Sequence, residues 1–228
     1  DGIGNILMGE ESLNRYIQQV RAPVSVIAQH DQAVEFEKLA ERAIAGQQAG
    51  SSAGGEHPKF TCVIDRGGTP RHVLVKFSPA GDDPVSRRWS DLLIAEHLAM
   101  SVLTNSGVSS ARTSVLANGR RVFLVSERFD RTGLFGRKGV ISLAAVDDDL
   151  IGSRKGWIHA GKALLALKKI IVSDYDRIRR LAAFGQLIAN TDMHSGNLSF
   201  LVAEDGSLDL APVYDMLPMM YAPTAANA

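Results

Sequence analysis

The chain has 228 residues, 45% of them apolar and 22% charged, which permits one large domain or two lobes sharing a cleft and excludes the composition of a disordered segment. Basic and acidic residues balance at 25 each, which excludes an overall field drawing the chain to nucleic acid or an anionic membrane, so any nucleotide site must be local. The single cysteine, Cys62, excludes an intrachain disulfide and a multi-cysteine metal site and fits a reducing cytoplasm, while no stretch reaches the ~18 to 20 apolar residues of a membrane span.

Residues 10–20 and 31–46 have helical periodicity; in the second, Val34, Phe36, Leu39, Ala40 and Ala43 recur at helical spacing and Asp31 stands at the cap. Residues 1–50 are read as an N-terminal helical extension. The glycine-rich run 46–55 (GQQAGSSAGG) is either a linker or a loop feeding the strand that follows. Strand-like runs at 60–65 and 71–77 surround the turn 66–70, and this hairpin favours the loop. After Pro84 an amphipathic helix carries Trp89, Leu92, Leu93, Glu96, Leu98 and Leu103. Runs 113–117 and 120–126 then flank Asn118-Gly119, a strong hairpin signal because both residues tolerate positive φ. Residues 156–170 and 174–189 read as helices, followed by short strand runs at 198–202 and 207–210 around Glu204-Asp205-Gly206. No internal repeat appears. A β-rich part, 51–130, thus precedes a helical part, 131–228, and the cleft between them is the natural place for a site.

The polar turn after residue 189 packs Asp192, His194 and Asn197 into six residues. Phosphoryl transfer needs a carboxylate to orient or deprotonate the attacking hydroxyl and oxygen ligands for magnesium, and Asp192 and Asn197 supply both in the spacing D-x-x-x-x-N. A capped turn between helix and strand would look the same. Asp215, eighteen residues after Asn197 behind an apolar approach, is a second metal carboxylate or a solvated turn residue. Lys76 alternates with apolar neighbours in VLVKF, as a phosphate-binding lysine or an edge-strand lysine would, and Glu96 is the candidate to hold it. The loop at 51–59 has glycines that let backbone amides approach phosphate, but neither G-x-x-x-x-G-K-[ST] nor G-x-G-x-x-G spacing. His194 either shapes its loop or contacts phosphate. His57, His72, His97 and His159 are scattered without metal-cage spacing, and they, Trp89, Trp157 and the cluster Met216, Met219 and Met220 are read as packing or surface residues.

Taken in order, SAGGEHPK at 52–59, VKF at 75–77, SERFDR at 126–131, NTDMHSGN at 190–197 and PVYD at 212–215 resemble HipA-type serine/threonine kinases, the toxins of bacterial toxin–antitoxin pairs. The resemblance covers roughly residues 50–216 and implies an α+β, two-lobed protein-kinase-like fold with a β-rich N-lobe and a helical C-lobe. It implies ATP and Mg2+ as cofactors, Asp192 as catalytic base, Asn197 and Asp215 as magnesium ligands and Lys76 as the phosphate lysine. Ser52, Ala53, Gly54 and Gly55 would form the loop over the phosphates, with Ser52 at the place of the family's regulatory serine, and Glu127 and Phe129 would lie at the hinge near adenine. The implied partners are a protein substrate and an antitoxin that itself binds DNA, with no membrane and no direct nucleic-acid contact. The family continues well past the tyrosine–aspartate motif, whereas this chain stops thirteen residues after Asp215 and begins with Asp1 rather than methionine, so a truncated C-lobe and a piece of a longer protein are expected. A small-molecule phosphotransferase of the same fold and a silent nucleotide- or partner-binding module are the rival readings.

Overall fold

Burial alternates along the hairpin of the first half: Val73, Val75 and Phe77 are fully buried, and Lys76 between them faces the other side of the sheet. In the computed structural model, which describes residues 4–5, 7–46 and 57–223, this hairpin is the middle of a five-stranded sheet. Ser52, Ala53, Gly54 and Gly55 lie outside the described residues.

The elements run α1 (Gly9–Arg21), β1 (Val26–Ile27), α2 (Gln32–Ile44), β2 (Lys59–Arg66), β3 (Thr69–Phe77), α3 (Pro84–Asn105), β4 (Thr113–Ala117) and β5 (Val122–Glu127). Then follow β6 (Arg131–Thr132), β7 (Gly136–Arg137), β8 (Gly139–Ser142), α4 (Leu143–Leu150), α5 (Trp157–Ala166), α6 (Val172–Leu187), β9 (Ser199–Val202) and β10 (Leu208–Leu210). The large sheet has the order β1-β2-β3-β5-β4, antiparallel except where β1 pairs parallel with β2. Phe36, Ala40 and Ala43 of α2 pack on it with Phe60, Val73, Val75, Phe77 and Phe123. The rings of Phe36, Phe60, Phe77 and Phe123 meet at centroid separations of 5.6 to 6.2 Å, the tilted and edge contacts that aromatic quadrupoles favour.

A second core lies under α3. Ala99, Met100 and Leu103 of that helix join Leu143 and Val146 of α4, Trp157 and Leu164 of α5, Ile178 and Leu181 of α6, and Phe200, Leu210 and Met216. The three-stranded sheet β10-β9-β8 closes this lobe. Helix α3 thus gives its C-terminal half to this core, while Leu92 packs with Leu217 and Ala222 in a smaller cluster; its start is fixed by Asp83, which accepts hydrogen bonds from the Val85 and Ser86 amides ahead of Pro84.

The fold is α+β, with a sheet-based lobe and a mainly helical one. The helix expected from Asp31 starts at Gln32, and Asp31 makes no side-chain cap bond because its own backbone is already in the αR region of a 3-10 turn at Gln29–Asp31. The Asn118-Gly119 hairpin is wider than two residues: Asn118 Oδ1 takes the Arg120 and Arg121 amides at 3.0 and 2.9 Å, so the strand resumes at Val122. Met216 is core, whereas Met220 is exposed. Among the described residues, no helix is long and apolar enough to cross a membrane.

Candidate active site

Lys76 sits on β3 directly across from Lys59 on β2, so both side chains share one face. Its Nζ donates to both oxygens of Glu96, at 2.9 and 2.8 Å, and to Asp215 Oδ1 at 2.5 Å. Glu96 is presented by the middle of α3 and is buried, the side of the helix facing the sheet being fixed by its neighbours Leu92 and Leu93. Burial alone would strip the ammonium of its proton, but the carboxylates of Glu96 and Asp215 reverse this and raise its pKa above the usual lysine value. Burial pushes the Glu96 carboxyl up against the pull of Lys76. Burial also opposes the charge of Asp215, yet Lys76, then Lys59 and His194, hold it below the usual carboxylate value.

Asp215 has φ +59°, a left-handed backbone that aspartate tolerates better than most side chains. It follows Tyr214, whose hydroxyl donates to the Gly196 carbonyl at 2.9 Å and lies 2.6 Å from Ser199 Oγ. Asn197 adjoins Gly196, so the tyrosine ties the two candidate metal ligands to neighbouring turns of chain.

The turn that carries Asp192 is braced from inside. Asn190 Oδ1 accepts from the Asp192 amide at 3.0 Å, and Asn197 Nδ2 donates to the Asp192 carbonyl at 2.9 Å. The Asn197 side-chain nitrogen is thus used by the loop, so Oδ1 is the atom that could meet a cation. Asp192 itself is exposed. His194 Nδ1 accepts from the Gly196 amide at 3.0 Å, so His194 shapes the loop; its imidazole leaves no room for a Cβ at Gly196, which would stand 2.7 Å from the ring. Trp157, read from sequence as packing alone, also donates from Nε1 to the His194 carbonyl at 3.0 Å.

Glu127 ends β5, and its side chain ion-pairs with Arg66. Phe129 packs against Tyr214, the rings tilted by 31° with centroids 5.9 Å apart. Glu127 therefore offers backbone groups rather than a carboxylate to anything beside the hinge.

Among the described residues, no group of three or more His, Cys, Asp and Glu could hold a metal by itself. An amide oxygen and one carboxylate nonetheless suit magnesium, a hard cation that takes one or two side-chain oxygens and fills its remaining positions with phosphate and water. The residues fit that ion, and they do not form a zinc-type cage.

Sequence reasoning did not single out three residues that matter here. Lys59 is legible only once the register puts it opposite Lys76. Tyr214 looked like part of a motif, and nothing in the chain pattern linked its hydroxyl to Gly196. His57 has a buried Nε2 beside Trp89.

Residues 51–228 match the family described as the HipA-like C-terminal domain. The chain is 42% identical over 225 residues to the protein named Toxin YjjJ of Escherichia coli strain K12; the match takes 98% of this chain and 50% of that one, so the chain spans about half the length of this relative. Among solved structures, HipA from the Shewanella oneidensis MR-1 toxin–antitoxin system, in complex with HipB and operator DNA, superposes with a TM-score of 0.59 at 19% identity, over 81% of this chain and 50% of that one. The Helicobacter pylori proinflammatory kinase CtkA superposes with a TM-score of 0.52 at 15% identity, over 69% and 55%. At these identities the two structures establish a kinase-like fold.

Proposed function

This chain belongs to the HipA-like C-terminal domain family, and from that premise we propose that it carries the phosphotransfer site of a toxin kinase, moving the γ-phosphoryl group of ATP to a serine or threonine hydroxyl of a protein. The observation that carries the reading is the meeting of Lys76 with buried Glu96 from one lobe and half-buried Asp215 from the other. A lysine held by a helix glutamate beside a metal carboxylate is the arrangement on which kinases position triphosphate.

In the proposed reaction Asp192 orients the acceptor hydroxyl and takes its proton as the hydroxyl oxygen bonds to the γ-phosphorus and the bond to the ADP oxygen breaks. Lys76, backed by Glu96 and neighboured by Lys59, neutralises the phosphates. Asn197 Oδ1 and the Asp215 carboxylate would hold magnesium, which supplies charge neutralisation between the phosphates. Contact between Lys76 and Asp215 keeps both charges compensated without ligand; with ligand, each exchanges the other for an opposite charge. Catalysis is then positioning and electrostatics.

Further elements rest on the family and on relatives. The segment with Ser52, Ala53, Gly54 and Gly55 would cover the phosphates, and phosphate on Ser52 would place a dianion where those of ATP belong. Glu127 and Phe129 would border adenine, near the boundary between an N-lobe ending at about residue 130 and the C-lobe. An antitoxin partner is supported by the name of the Escherichia coli relative and by the complex in which the Shewanella protein was solved. A reducing cytoplasm would suit the lone thiol.

Transfer of radiolabel from ATP to proteins of a bacterial lysate tests the reading. Labelled protein bands that vanish with Asp192→Asn are expected; nucleotide binding without transfer would instead support a silent module, and label on small molecules alone a small-molecule enzyme.

A further inference from the structure

Helix α6 ends in a way that its own residues do not favour. The Asn190 amide donates to the Gly185 carbonyl at 2.8 Å and the Ala189 amide to the Gln186 carbonyl at 3.1 Å, the paired bonds of a Schellman motif. The left-handed residue that follows the helix in this motif is usually glycine, yet here it is Ala189, with φ +58°. Glycine stands instead at Gly185, inside the last turn, where it destabilises a helix relative to alanine. Local preference would place the two residues the other way round.

What lies on Gly185 accounts for its identity. Half-buried Met193 folds back over the helix end, and a Cβ built on Gly185 would overlap Met193 Sδ and stand 2.7 Å from its Cε. The thioether therefore rests on the bare backbone of a buried glycine, at the edge of the core that Phe184 and Ile188 also join. Asp192 is the residue just before Met193. Three contacts hold that stretch of chain: Asn190 Oδ1 takes the Asp192 amide, Asn197 Nδ2 donates to the Asp192 carbonyl, and the Met193 side chain is seated on α6. Asp192 itself is exposed, so its aim depends on the backbone beneath it.

We propose that Met193 is a positioning residue for phosphotransfer, a pin seated on Gly185 that fixes the direction of Asp192. The inference rests on the phosphotransfer reading and adds to it the two residues that aim its base.

Two measurements on the full chain test it together: the rate of label transfer from ATP to lysate proteins over a range of ATP concentrations, and amide hydrogen exchange of the turn at 190–197 by NMR. Gly185→Ala favours the helix but pushes Met193 off its seat. It is expected to lower the rate at saturating ATP by about 10- to 100-fold, because small misplacements of a reacting group are costly. The ATP concentration for half-maximal rate should stay within about twofold, since Lys76, Asn197 and Asp215 are untouched. The Asp192 amide should exchange faster while the amides in the middle of α6 do not. Met193→Ala is expected to lower the rate too, and Met193→Leu to retain most of it. Adding Gly185→Ala to Met193→Ala should cost no more than Met193→Ala alone, the non-additivity of residues in contact. Thermal melts confirm folding, and if Gly185→Ala does not fold, the comparison of Met193→Ala with Met193→Leu carries the same test. Multiplying losses in the double variant, a change in ATP dependence without a change in saturated rate, or unaltered exchange at Asp192 would overturn the pin while leaving the phosphotransfer reading standing. A wild-type chain that transfers no label would overturn that reading and the catalytic use of the pin with it.

Discussion

The Lys76 ammonium and the Asp215 carboxylate, 139 residues apart in the chain, meet at 2.5 Å, so the two lobes are joined by a half-buried charge pair at the point where chemistry is proposed. Glu96 completes the arrangement from α3. Three ionised groups in a partly dry site are stable only as a set, because each removed partner leaves a charge without compensation.

Lys76→Met is therefore expected to do two separable things. It strands buried Glu96 beside Asp215, for a loss of about 3 to 5 kcal/mol in urea unfolding. The double variant Lys76→Met/Glu96→Gln is expected to recover much of that stability. Phosphotransfer should be absent from both, since the phosphate cation is gone in each.

Asp215 can be dissected in the same manner through its backbone. With φ at +59°, Asp215→Asn is expected to keep the fold, because asparagine tolerates the left-handed region, whereas Asp215→Ala should be less stable than the asparagine variant by about 1 kcal/mol. Neither should transfer phosphate. Equal stability of the two variants in urea would remove the backbone argument.

How far the chain pattern reached depends on the range of the interaction. The hairpin of β2 and β3 was legible because alternation and the Gly67-Gly68 turn are local, and so was the α3 helix carrying Glu96. The short strand β8 and the helix α4 were not, since four residues of strand that pair with β9 carry too little pattern alone. In the site, Lys76, Asp192, Asn197 and Asp215 stood out as residue types in suggestive order. Lys59 did not, because what matters about it is a cross-strand register set by distant pairing. The resemblance named the loop at Ser52 to Gly55, which lies outside the described residues.

The His57 ring gives the fold a distinct acid response. Its pKa, ordinarily near 6.5, is held at about 4 by burial first and Lys76 second. Between those values the unfolded chain binds a proton that the folded chain does not, so this contribution to stability is complete above pH 6.5 and is lost as pH falls toward 4. Glu96, whose pKa is raised, acts in the opposite direction, so the comparison is by difference. Wild type should lose more stability than His57→Phe between pH 7 and pH 4; parallel curves would contradict the burial argument.

Cys62 on β2 should be chemically quiet. Burial pushes its thiol up to about 12, so almost no thiolate exists near neutral pH. Reaction with a chromogenic disulfide at pH 8 is expected to be at least about a hundredfold slower for the folded chain than for the chain in urea. A folded-state rate close to the unfolded one would show an accessible, reactive thiol instead.

The most direct measurement of the central claim is a crystal structure of the chain with magnesium and a non-hydrolysable ATP analogue. The ion is expected on Asn197 Oδ1 and the Asp215 carboxylate, the phosphates on Lys76 with Glu96 still behind it, and Asp192 facing the terminal phosphate. An analogue bound elsewhere, or an ion touching neither Asn197 nor Asp215 while Lys76 remains on Asp215, would contradict it.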